Sequence, residues 1–141
     1  MRWLCATIAL LACGWGCGDR GAAGQPDPAV IEAAKAAIAA PVDEAARGEA
    51  QAIYDQRCRI CHGVGGKGDG PGSMSLQPRP RDYTDQAWQR GATDEHLARV
   101  IIGGGSAVGM SALMPPNPDL GGRPAVVRAL IERIRKFGAG G

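Results

Sequence analysis

The sequence predicts an all-α domain with a single small core, and three observations carry that prediction. No segment shows the period-two alternation of a half-buried strand, three stretches carry apolar residues at helical spacing, and the segments between them are dense in glycine and proline. A chain of 141 residues with 45% hydrophobic content is one domain long. It holds three Trp, two Tyr and one Phe, and Trp3 and Trp15 fall in the N-terminal segment. The globular part must therefore fill its centre with something other than its own aromatic rings.

Residues 1–17 have one early cation (Arg2), an apolar run from Trp3 to Ala12, and small residues around cysteine, the layout of a secretory signal. The run is too short to span a bilayer comfortably. Leu10-Leu11-Ala12-Cys13 resembles the bacterial lipobox, in which cleavage precedes a cysteine that becomes acylated, so Cys13 is the favoured lipidation site. Cys17, after Gly14-Trp15-Gly16, is the alternative, with a more usual signal length but a poorer box. Both readings, and plain secretion as the third, export the chain to the periplasmic side, with a lipid anchor expected to hold it at the membrane.

Residues 18–42 shift to Gly, Ala, Pro and Gln and read as a flexible tether with a short helix within Val30–Ala40, too poor in bulky apolar residues to form a core. The folded domain is expected over 43–138, with 139–141 as a tail. Its first helix spans Asp43 to Arg57, with Ala46, Ala50, Ile53 and Tyr54 on one face. Glycine and proline over 63–80 describe a loop wrapping around something. Thr93 is the expected N-cap of a second helix over Asp94–Ile102, stopped by Gly103-Gly104-Gly105. The last helix starts near Pro124 and runs to about Phe137, with Val126, Val127, Leu130, Ile131, Ile134 and Phe137 as its apolar stripe.

Cys58-Arg59-Ile60-Cys61-His62 reads as C-x-x-C-H, the attachment sequence for haem c. Two thiols at this spacing at the end of a helix reach one edge of a macrocycle as thioethers, and the next histidine is then held beneath the iron. A redox disulfide or half of a zinc site is the competing reading of the C-x-x-C alone, but zinc needs further ligands. His96 is the only other histidine, and the other cysteines lie in the signal region.

From about Arg47 to Phe137 the chain resembles the class I monohaem cytochromes c. The residues that carry the likeness are Ile53-Tyr54 before Cys58, Cys61-His62-Gly63, Gly68-Asp69-Gly70-Pro71, Pro80-Arg81-Asp82-Tyr83 and Met114-Pro115 ahead of the terminal helix. The resemblance implies three or more helices around one covalently bound haem, with the first and last helices crossing. The family often has a glycine at that crossing; here Ala50 stands there, with Gly48 the nearest glycine, so the crossing is expected to be wider or displaced.

The resemblance also implies a distal methionine in a Met-Pro step, which is Met114. Met110 and His96 are the alternatives, and Met110 and Met74 are otherwise read as core fillers. His96, beside Asp94 and Glu95 at a helix start, is read as solvated or capping. The family holds the proximal histidine through a proline carbonyl, matched here by Pro71. Arg79 and Arg81 are candidates for the haem propionates, with a solvated role equally open. Tyr83 and Trp88 are candidates for the ring edge, with core packing as the default.

A net charge of +2 with no basic cluster interleaved with aromatics excludes a nucleic-acid partner. No acid, base or nucleophile set accompanies the motif. The expected function is a monomeric electron carrier, His62 and Met114 ligated, that meets redox proteins transiently. Alternatives are a haem-bearing accessory subunit of a larger oxidoreductase and an open-site sensor or peroxidase-like protein.

Overall fold

The computed structural model describes residues 27–140. The export signal, Cys13, Cys17 and the first part of the expected tether lie outside the described residues. Within them every regular element is helical, as the lack of period-two alternation predicts: α1 Pro28–Ala39, α2 Glu44–Ile53, α3 Arg59–His62, α4 Gln86–Gly91, α5 Asp94–Gly103 and α6 Pro124–Ala139. No described helix is long and apolar enough to cross a membrane.

The terminal helix α6 is the hub, packed against α1, α2 and α5. Its stripe behaves as the periodicity predicts: Val126, Val127, Leu130, Ile131 and Ile134 are all buried, and Phe137 is half-buried at the edge. The buried face of α2 is Ala46, Ala50 and Ile53. Gly48 lies on its outer side, where even a Cβ would meet nothing within 4 Å, so Ala50 and not Gly48 belongs to the packed face.

The tether reading needs correction over 28–39. This segment is a helix docked on α5 and α6, with Ala34 and Ala37 fully buried. Asp27 caps it by accepting from Ala29 N–H at 2.8 Å, and Pro28 stands in its first turn. An alanine stripe adds little apolar area, which is why the composition resembles a linker. Small side chains instead let two helix backbones approach closely, and that is the use made of them here.

The sequence gives no sign of α4. Six residues are too few to show a period, yet Asp85 marks its start by accepting from Ala87 N–H and Trp88 N–H at 2.9 and 3.1 Å. α5 begins where the sequence predicts: Thr93 Oγ1 accepts from His96 N–H at 3.1 Å, and Gly104, at φ +74°, ends the helix. Arg128 and Arg135 of α6 both reach Asp94 at the start of α5, at 2.7 and 2.8 Å. Arg135 also donates to the Gln89 and Ala92 carbonyls, fastening α4 to the same corner.

Candidate functional site

The C-x-x-C-H segment lies within one continuous helical run. α2 passes into a π-helical turn, Tyr54–Cys58, and then into α3, which ends at His62. A π-turn carries one extra residue and so rotates the next turn of helix relative to the one before it. Cys58 to His62 are thereby turned relative to the packed face of α2. Gly63, at φ +81°, then directs the chain away, a backbone conformation suited to glycine. The buried Tyr54 hydroxyl donates to the Gly63 carbonyl at 2.8 Å and ties the end of this run to its own start. Burial pushes the Tyr54 phenol up to about 12, so it remains a donor at neutral pH.

The loop over 63–80 is laced back onto the motif, as its glycine content predicts. Gly68 N–H donates to the His62 carbonyl at 3.0 Å and Gly70 N–H to the Cys61 carbonyl at 3.1 Å. Its one regular piece is a 3₁₀ turn at Pro71–Ser73. Pro71 is exposed there and does not hold the histidine. The partner of His62 Nδ1 is the Arg81 carbonyl at 3.4 Å, further along the same excursion. This corrects the expectation for Pro71. A backbone carbonyl can come from any residue that the loop brings close, so residue identity does not disclose it.

His62 is 7% exposed, and burial lowers its pKa, which leaves a neutral imidazole at neutral pH. With Nδ1–H aimed at the Arg81 carbonyl, Nε2 presents its lone pair. That nitrogen faces the Tyr83 hydroxyl at 3.2 Å, and the two rings stack 4.5 Å apart at 12°. An iron atom would take the Nε2 lone pair in place of the hydroxyl proton. Tyr83 is buried beside the histidine, and the partly buried Trp88 stacks on Tyr83 at 5.5 Å. Arg81 lies over the Trp88 ring at 5.7 Å.

Cys58, Cys61 and His62 line an apolar cavity of about 480 Å³, a size suited to a compact cofactor. The two thiols are free, and burial pushes Cys58 up to about 11. The floor comes from Leu97, Val100 and Ile101 of α5 and Leu130 and Ile134 of α6. Arg79 and Arg81 stand on its wall, with Arg57 held by Asp119 at 3.0 Å, and no carboxylate among the described residues lines it. An apolar disc with an anionic edge fits this lining: apolar walls, cations alone among the permanently charged groups, and two thiols beside a neutral imidazole. Zinc does not. Among the described residues no three Cys, His, Asp or Glu side chains, the two thiols and the imidazole included, are placed to hold a metal ion together.

The other wall is the segment after α5. Met110 and Met114 both line the cavity, as does His96. Met114 is half-buried, while Met110 is 51% exposed and Met74 82% exposed, so neither of the latter is a core filler. Met74 directly follows the 3₁₀ turn, whose Ser73 is buried while Met74 itself faces outward. His96 is half-buried at the cavity wall, and burial, then Arg99, lowers its pKa. The chain thus brings the motif, both methionines, His96, Arg79, Arg81, Tyr83 and Trp88 to one cavity, and leaves out Pro71 and Met74. Sequence reasoning missed the Tyr54 hydroxyl tie, the Arg81 carbonyl and Leu120, which is buried against the cavity; only Tyr54, four residues before Cys58, offered a signal.

No curated protein and no solved structure matches the chain significantly. The profile of the family described as "Cytochrome C oxidase, cbb3-type, subunit III" matches residues 44–132, a span that begins at α2, includes the whole motif and both methionines, and ends within α6. That span exceeds half of the chain, and the all-helical fold agrees with it: the protein belongs to this family of c-type cytochrome domains, whose business is haem-based electron transfer.

Proposed function

We propose that the protein is an electron carrier with a single covalent haem c, held by Cys58 and Cys61 and ligated by His62 and Met114. The observation that supports this best is the shared cavity, which gathers two free thiols, a neutral imidazole and a methionine from separate parts of the chain. When bound, haem would supply a one-electron iron couple, and a methionine paired with a histidine as its ligands would favour the reduced state relative to stronger donors. The chain's own contribution is positioning. The Arg81 carbonyl fixes the His62 tautomer, the π-turn presents both thiols, and the apolar floor from α5 and α6 excludes water. Arg79 and Arg81 offer cations to the carboxylate edge. No step requires a proton donor or nucleophile, in keeping with a carrier and not an enzyme.

The carrier works on the periplasmic side, tied to the membrane through a lipid at Cys13, with Cys17 as the alternative, and it meets redox proteins briefly as a monomer. A second reading, a haem-bearing subunit of a terminal oxidase, is favoured by the description of its family. The two separate on native purification: a carrier elutes as a monomer, whereas an oxidase subunit co-purifies with larger haem proteins. A six-coordinate low-spin ferric spectrum with the methionine–iron charge-transfer band supports the carrier; a high-spin spectrum rejects it. Palmitate labelling lost in Cys13→Ser and retained in Cys17→Ser fixes the anchor, and the reverse pattern moves it to Cys17.

A further inference from the structure

The segment bearing both methionines hangs from the glycines that end α5. Met110 N–H donates to the Gly105 carbonyl at 2.8 Å, and Gly105 N–H donates to the Met114 carbonyl at 3.0 Å. One residue therefore ties the backbones of both sulfur-bearing residues. Gly104, at φ +74°, lies so close beneath the Met-Pro step that a Cβ would stand 2.7 Å from Pro116 N, 2.8 Å from the Met114 carbonyl oxygen and 2.9 Å from the Pro115 carbonyl carbon. A Cβ on Gly105 would overlap the Ser111 carbonyl oxygen. The far end of the segment is fastened by Asn117, whose N–H donates to the Ile102 carbonyl at 2.9 Å and whose Nδ2 donates to the Ile101 carbonyl at 2.8 Å.

Methionine has three rotatable side-chain bonds, and neither Met110 nor Met114 is fully buried, so packing alone does not fix either sulfur. The backbone must do so. We propose that Gly104 and Gly105 are positioning residues for the distal methionine: their lack of Cβ lets the 110–116 segment lie directly on the end of α5, which sets the place of the Met114 sulfur in the cavity. This rests on the reading of Met114 as the iron ligand. It gives the triple glycine a task beyond stopping a helix, since one glycine suffices for that.

The test uses the haem-loaded full chain in its ferric form. Gly105→Ala pushes Ser111 and the segment away, so a larger fraction of molecules has the methionine off the iron. Apparent affinity for added imidazole scales with that fraction, and a rise of about tenfold is expected, with loss of the methionine–iron band and unchanged far-ultraviolet dichroism. Gly122→Ala, where a Cβ meets nothing within 4 Å, is the matched control and retains the wild-type band and affinity. Asn117→Ala adds no volume; it loosens the same segment and is expected to shift both readouts in the same direction by a smaller factor. If Gly105→Ala does not take up haem, Asn117→Ala decides in its place. An unchanged band and imidazole affinity in the folded variants overturns the proposal. A band that survives Met114→Ala overturns the ligand reading instead, whatever the glycine variants do.

Discussion

His62 ends a helix, is 7% exposed, and has a partner for each ring nitrogen; Met114 sits in irregular chain, half-buried, its carbonyl accepting from Gly105 N–H and its N–H donating to the Ser111 carbonyl. The two walls of the cavity are thus built by different means. On the histidine side, two thiols would meet one ring edge while the imidazole reaches the iron, and a helical run with a π-turn fixes all three in a single short stretch. On the methionine side only one sulfur must be placed, and a segment pinned at Gly105 and Asn117 does it with few side-chain contacts. The histidine wall is expected to resist perturbation elsewhere, and the methionine wall to report it.

The largest effect comes from the histidine side. Replacing Cys58 and Cys61 together by serine removes both attachment points, and haem staining after denaturing electrophoresis is expected to vanish. Staining that persists breaks the assignment of the motif.

Next in size is Ala34→Leu. α1 backs α5, which forms the cavity floor, and Ala34 has no accessible surface. A larger side chain there overpacks the helix contact and should cost about 1–3 kcal/mol in chemical denaturation. A neutral result would return residues 28–39 to the status of a tether.

The smallest effect is at the start of α5. Burial alone would raise the Asp94 carboxyl, but hydrogen bonds from Arg135 and Arg128 hold it below its ordinary value of 3.8. A depressed folded-state pKa stabilises the fold above the unfolded value and loses that contribution as pH falls through the folded one. Asp94→Asn is therefore expected to cost about 1 kcal/mol at neutral pH, and its gap from wild type should close below pH 3.8. A gap that is constant down to acid pH would deny the pair this role.

The difference between the walls also explains what the sequence disclosed. The helical class, α5 with its Thr93 cap, the stripe of α6 and the Cys58-Arg59-Ile60-Cys61-His62 motif are legible because each depends on side-chain identity at short spacing. The Arg81 carbonyl behind His62 is not, because main-chain oxygens leave no trace in residue type. α1 reads as tether because a packed alanine stripe and a solvated one have the same composition, and α4 escapes because one and a half turns show no period. The positioning part of Gly103-Gly104-Gly105 is hidden behind its simpler use as a helix stop.

Met114 carries the central claim, that the cavity closes an iron between a histidine and a methionine from separate elements. The ferric spectrum of Met114→Ala, recorded beside Met110→Ala, tests it most directly. The methionine–iron band should be absent from Met114→Ala and present in Met110→Ala. A band retained in Met114→Ala and lost in Met110→Ala would contradict the account.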